Sequence, residues 1–190
     1  GTCLDENDQS LEAAVQDVDV NIVNPRLGGS KPYLRYLSTR FDNPRLKGLA
    51  LLGLSPMLQE WFEDHSEYVE GHVAVLSNPD IWLAADYDMI PNGALYLGSK
   101  TGDAEAELPD PADLDDVWSR YDSERQVREG WPDLVAPWNW LAVRHVGKSA
   151  NNLGFAWQEA EAQSKAMQSY RAAWKVDPHN VSALLNLSAL

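Results

Sequence analysis

Residues 147–180, GKSANNLGFAWQEAEAQSKAMQSYRAAWKVDPHN, constrain this chain more than any other stretch. Small residues and aromatics alternate there at helical spacing. Leu153 and Gly154 are followed one turn on by Trp157, and Ala166, Tyr170 and Ala173 share one face of a second helix. Gly154 and Ala166 let two antiparallel helices approach closely, while the rings of Trp157, Tyr170 and Trp174 fill the space beside them. Pro178 cannot continue a helix and turns the chain. Val181 to Leu187 then opens another helix. One hairpin leaves a face uncovered, so units of this length pack in stacks.

The unit resembles the tetratricopeptide repeat at Leu153-Gly154, Trp157, Ala166, Tyr170, Ala173 and Pro178, with Ala150 standing where that family more often has a larger apolar residue. The resemblance covers residues 147–190 and implies an all-α hairpin array, with one full repeat at 147–180 and the start of another at 181–190. First helices of such repeats line a concave groove for a protein or peptide partner. Here that implies Lys148, Asn151, Asn152, Phe155, Gln158 and Glu159 as the groove side, unless these are simply solvated helix positions. It also implies further repeats after Leu190. Val181, Leu184 and Leu187 are then expected to pack near Tyr170 and Trp174, with Leu185 and Leu190 exposed.

Residues 1–101 read as a small α/β layer domain with a mainly parallel sheet. Its strands are expected at 18–24, 72–77 and 94–98, with Ile81 to Ala85 a further apolar run of strand character. Asn78-Pro79-Asp80 and Pro91-Asn92-Gly93 read as turns, and Ser30-Lys31-Pro32 and Ser55-Pro56 as helix starts. Residues 102–116 crowd seven Asp and Glu among Pro109 and Pro111, an acidic connector lacking the ligand spacing and central Gly of an EF-hand loop. Residues 117–190 read as helical. Trp131, Trp138 and Trp140 are expected to wedge at the seam between the two parts, or else to form an exposed aromatic platform for sugars or peptides.

The chain has 190 residues, with 29 Asp and Glu against 15 Lys and Arg, a net charge of −14. That balance argues against nucleic acid and against anionic membrane surfaces as partners. Eight Trp and seven Tyr supply a heavy aromatic load. The single cysteine, Cys3, excludes an intrachain disulfide and suits cytoplasm or bacterial periplasm equally. No apolar run is long enough to span a bilayer. The opening Gly1-Thr2-Cys3, without Met, and the end inside a repeat read as a piece of something longer.

Asp86 and Asp88 resemble the Asp-X-Asp signature of nucleotide-sugar glycosyltransferases, in which two carboxylates hold a divalent metal on the diphosphate. The motif is short: three such pairs occur here, where chance alone supplies about 1.5. His65, His72, His145 and His179 lack metal-ligand spacing, and no phosphate-binding loop or nucleophile elbow is present. Residues 42–62 and 72–98, followed by the repeat, resemble the soluble tail of certain bacterial multi-pass membrane glycosyltransferase-like proteins, whose helical-repeat tails lie outside the cytoplasm and whose catalytic loops lie in the membrane half. The expected function is therefore a non-catalytic interaction or scaffold module with no cofactor. The alternative is a metal-dependent glycosyltransferase built on Asp86 and Asp88.

Overall fold

The computed structural model describes residues 28–40, 43–76, 80–100, 102, 107–122 and 136–190, with residues 136–139 given by backbone alone. These residues are mostly helical and include a small three-stranded antiparallel sheet. They belong to two compact units, Gly1–Met57 and Leu58–Leu190.

In the first unit, α1 (Lys31–Ser38) and α2 (Pro44–Leu52) pack as a pair. Leu34 and Leu37 form the buried face of α1, and Leu46 and Ala50 that of α2. Asn43 caps α2, its Oδ1 accepting from the Arg45 amide at 2.8 Å, with Pro44 in the first turn where its missing N–H goes unused. Ser30 precedes α1 in an extended conformation, but its side chain makes no capping bond. Helix α3 spans Leu54–Asp64.

In the second unit, α4 (Ser66–His72), β1 (Ala74–Val75), α5 (Asp80–Ala84), β2 (Asp88–Asn92) and β3 (Leu95–Ser99) surround an aromatic cluster. The strand order is β1-β3-β2, and both pairings are antiparallel, Ile90 facing Leu97 and Leu97 facing Ala74. This corrects the mainly parallel sheet expected from sequence. Parallel strands need a crossover of about a dozen residues, whereas only Gly93-Ala94 separates β2 from β3. Gly93, at φ 62°, supplies the left-handed backbone of that hairpin turn. The strand expected at 94–98 is present as β3; of the one expected at 72–77 only Ala74–Val75 pair as β1, His72 still belonging to α4; the one at 18–24 lies outside the described residues. Ile81 to Ala85 is helical rather than strand: Trp82 and Ala85 are buried and Leu83 and Ala84 exposed, a spacing of three. A run of five apolar residues is too short for its period to be read beforehand. Residues 88–92 form β2, so Pro91 and Asn92, which read as turn residues, lie in a strand.

Phe62 stacks on Trp82 with ring centroids 4.9 Å apart, and Tyr87 meets Phe62 edge-on at 6.0 Å. The polar tips are satisfied. Trp82 Nε1 donates to the Tyr96 carbonyl at 3.1 Å, and the Tyr87 hydroxyl donates to the Phe62 carbonyl at 2.9 Å. Gly98 is what lets the Trp82 ring lie flat on β3.

Residues 111–114 form a single tight helical turn leading into α6 (Asp115–Ser119). The acidic stretch is thus partly folded: Pro111 and Leu114 are buried, and Asp110 pairs with Lys165 at 3.1 Å. Helix α7 (Ala136–Glu159) then runs unbroken through Gly147, and α8 (Gln163–Val176) returns against it. Helix α9 (Val181–Ala189) follows the Asp177-Pro178 corner. The core here comprises Val146, Ala150, Leu153 and Trp157 of α7, Ala166, Tyr170, Ala173 and Val176 of α8, and Leu114, Trp118 and Ala183.

A Cβ at position 98 would clash with the Trp82 ring. Gly98→Ala is expected to destabilise the second unit by about 2–3 kcal/mol, as overpacking in a close-packed core does. Urea unfolding followed by tryptophan fluorescence measures it.

Candidate functional site

Helix α7 presents three faces. Val146, Ala150, Leu153 and Trp157 pack toward α8. Ser149 and Asn152 face the sheet: Asn152 Nδ2 donates to the Tyr96 hydroxyl at 3.1 Å, and Ser149 Oγ reaches the Leu95 carbonyl more loosely, at 3.5 Å. The third face is open to solvent and carries Trp140, Arg144, Lys148, Phe155 and Glu159, at steps of four or, between Lys148 and Phe155, seven residues. Phe155 is 55% exposed in the middle of this polar stripe.

The six residues expected to line a groove divide in two. Lys148, Phe155 and Glu159 lie on the open face, with half-buried Asn151 at its edge. Asn151 Oδ1 accepts from Asn186 Nδ2 at 3.1 Å, which ties α7 to α9 across that edge. Asn152 is engaged within the fold, donating to Tyr96, whereas Gln158 is exposed even as its Oε1 accepts from the Tyr170 hydroxyl at 2.8 Å. Sequence reading placed Trp140 at the seam and did not single out Arg144; the two extend the stripe by two steps of four from Lys148. The Arg144 guanidinium lies over the Trp140 ring, 4.8 Å from its centroid. Trp140, expected either to wedge at the seam or to form an exposed aromatic platform, is 59% exposed and belongs to this face. The side chains of Trp131 and Trp138 lie outside the described residues.

Helix α9 corrects a second expectation. Ala183 is fully buried and Leu187 half-buried, whereas Val181 and Leu184 are 65% and 53% exposed. The small side chain at Ala183 takes the close contact, and Asn180 fixes the start by accepting from the Ala183 amide and donating to the Gly147 carbonyl. The packed face is therefore Ala183 and Leu187, four apart. Leu185 and Leu190 are exposed as expected, and Trp174 is 46% exposed.

Asp86 and Asp88 lie on either side of a buried tyrosine at the end of α5. The α5 helix ends in a left-handed cap at Asp86 (φ 60°), with the Tyr87 amide donating to the Trp82 carbonyl and the Asp86 amide to the Leu83 carbonyl. Tyr87 is buried as an anchor, and the two aspartates flank it, both exposed. Among the described residues no three His, Cys, Asp or Glu are placed to hold a metal ion. Glycine relieves the strain of a non-glycine left-handed cap, so Asp86→Gly is expected to raise stability by about 0.5–1 kcal/mol. A metal clasp would instead make this residue indispensable for Mn²⁺ binding, which calorimetry on the same variant reads.

Three buried tyrosines shape the electrostatics around α7 and the sheet. Burial raises the Tyr96 phenol above the usual range, with the bonds from Asn152 and Ser149 opposing it in part. Burial, then the Glu159 carboxylate, raises Tyr170, and burial with Glu70 and Glu63 raises Tyr87. A raised phenol favours the protonated folded state, so this stability is complete below the unfolded pKa of 10.0 and is lost as pH climbs through the folded values. Thermal melting between pH 8 and about 11.5 is expected to show a decline that begins near pH 10 and is shallower in Tyr96→Phe.

No protein-family model, curated protein or solved structure matches this chain.

Proposed function

We propose that this chain is a non-catalytic protein-interaction module, in which α7 and α8 form a tetratricopeptide-type hairpin, α9 begins a second repeat, and the open face of α7 receives a protein or peptide partner. The observation that carries this reading is Phe155, a large ring 55% exposed between Lys148 and Glu159 on a helix that packs α8 on one face and the sheet on another. An aromatic anchor ringed by charges and amides has the composition of a recognition surface. Two packing features support the hairpin. A Cβ on Gly154 would lie 2.5 Å from the Tyr170 ring, and one on Gly147 2.9 Å from the Asp177 Cβ, so the helices meet at the small positions the repeat pattern places there. The Asn151–Asn186 bond sets α9 beside α7, as successive first helices lie in a groove-forming array. Helix α7 departs from the pattern in its length of 24 residues, and its N-terminal half carries the recognition face on through Arg144 and Trp140.

No helix among the described residues is long and apolar enough to cross a membrane. By the resemblance of residues 42–62 and 72–98, the module belongs to the extracytoplasmic tail of a larger bacterial membrane protein.

Selection of a random peptide library against the immobilised chain tests the reading. It is expected to yield ligands of roughly micromolar Kd, and Phe155→Ala is expected to weaken them at least about tenfold with the melting temperature unchanged. Lys148→Glu is expected to weaken acidic ligands selectively. Ligands that bind Phe155→Ala and Lys148→Glu as well as the parent chain would place the binding face elsewhere.

A further inference from the structure

The net charge of −14 conceals a sharp segregation along the chain. Six of the 15 Lys and Arg fall within residues 26–47, where Asp42 is the one acid, whereas residues 48–99 hold eight acids and no Lys or Arg at all. The helix pair α1–α2 therefore carries the basic stretch, and Lys31, Arg35, Arg40, Arg45 and Lys47 are all exposed on it.

The same pair carries an apolar face that its own packing leaves open. Helix α2, PRLKGLALL, is apolar nearly all round. A helix of that kind is ordinarily covered on every side, yet only Leu46 and Ala50 are buried here. Leu51 is 61% exposed, and Leu52, at 79%, is the most exposed large hydrophobic side chain among the described residues. At about 3.6 residues per turn, Gly48, Leu51 and Leu52 share the outward face, with Lys47 on one edge and Arg45 on the other. A Cβ at Gly48 would meet nothing within 4 Å, so that face is open space.

We propose that α2 is a peripheral membrane-docking helix that lies on an anionic phospholipid surface. Leu51 and Leu52 enter the headgroup–acyl boundary, and Arg45 and Lys47 reach phosphates from its two edges. An apolar strip between two cations matches the layered chemistry of a bilayer interface. A nucleic acid would leave the leucines without a role. The many acids elsewhere do not prevent docking, because at physiological salt the charges act over only about 8 Å, and the membrane meets the local sign. Nothing in this crosses the bilayer, in keeping with the short length of α2.

Flotation of the full chain with vesicles tests the proposal. Vesicles of phosphatidylcholine with about one-third phosphatidylglycerol are expected to bind it, and pure phosphatidylcholine vesicles are not. High salt is expected to release it. Lys47→Glu is expected to cut binding several-fold and Arg45→Glu/Lys47→Glu to abolish it. Leu51→Ser/Leu52→Ser, which leaves the charge intact, is expected to reduce binding at least about fivefold. Arg144→Glu/Lys148→Glu, on the face of α7, is expected to leave it unchanged. Absence of binding to the anionic vesicles, binding that survives the leucine substitutions, or equal loss in the α7 variant would each overturn the proposal. So would retention of an acidic peptide or RNA by α1–α2 without vesicle binding.

Discussion

The contact between Gly154 and the Tyr170 ring sets the spacing on which the larger unit depends. With no side chain at position 154, α7 and α8 approach until Tyr170 is fully buried, and its hydroxyl then reaches Gln158 at 2.8 Å. Gly147 repeats the device nearer the far end of α8, where Asp177 and Asn180 turn the chain into α9. Between them Ala150, Leu153, Ala166 and Ala173 keep the seam narrow. An interior glycine costs a helix roughly 1 kcal/mol of propensity, so two of them in one helix are tolerable only because packing more than offsets that cost.

Helix α7 then acts as the keel of the second unit. One face holds α8, another holds the sheet through Asn152 and Tyr96, and Trp157 Nε1 holds the segment before α6 by donating to the Pro109 carbonyl at 3.2 Å. Sheet and hairpin are consequently one packed body rather than an α/β layer followed by a separate helical arm. The solvent-facing stripe is what remains of the helix once those duties are met. Phe155, Lys148 and Glu159 have no packing role that would account for them, which is why they carry the functional reading. Rigid elements on two sides also hold this face in a fixed geometry, the condition under which an exposed ring binds without a large ordering cost.

Much of the hairpin was legible in the sequence, because Gly154, Ala166, Tyr170 and Ala173 encode a close helix crossing directly. The sheet was not. Its strands are two to five residues long, too short for periodicity, and the decisive information is the two-residue spacing between β2 and β3 that forces an antiparallel turn. Pro91 and Asn92 look like turn residues yet sit in β2, paired with Tyr96 and Leu95. The Asp-Tyr-Asp run likewise concealed its role, since Tyr87 is the anchor and the aspartates are its exposed flanks. Part of the face was missed for a similar reason: Arg144 precedes the repeat-like unit, and only the continuity of α7 aligns it and Trp140 with Lys148. Whole-chain charge averages a basic helix pair into an acidic total.

The keel arrangement is tested most directly by hydrogen exchange on Gly154→Ala, compared with the parent chain. If α7 supports both partners, displacing α8 from it loosens the sheet as well, and the amides of α8 and β3 are expected to lose protection together and by similar factors. Loss of protection confined to α8, with the β3 amides exchanging as slowly as before, would contradict the account and separate the sheet from the hairpin.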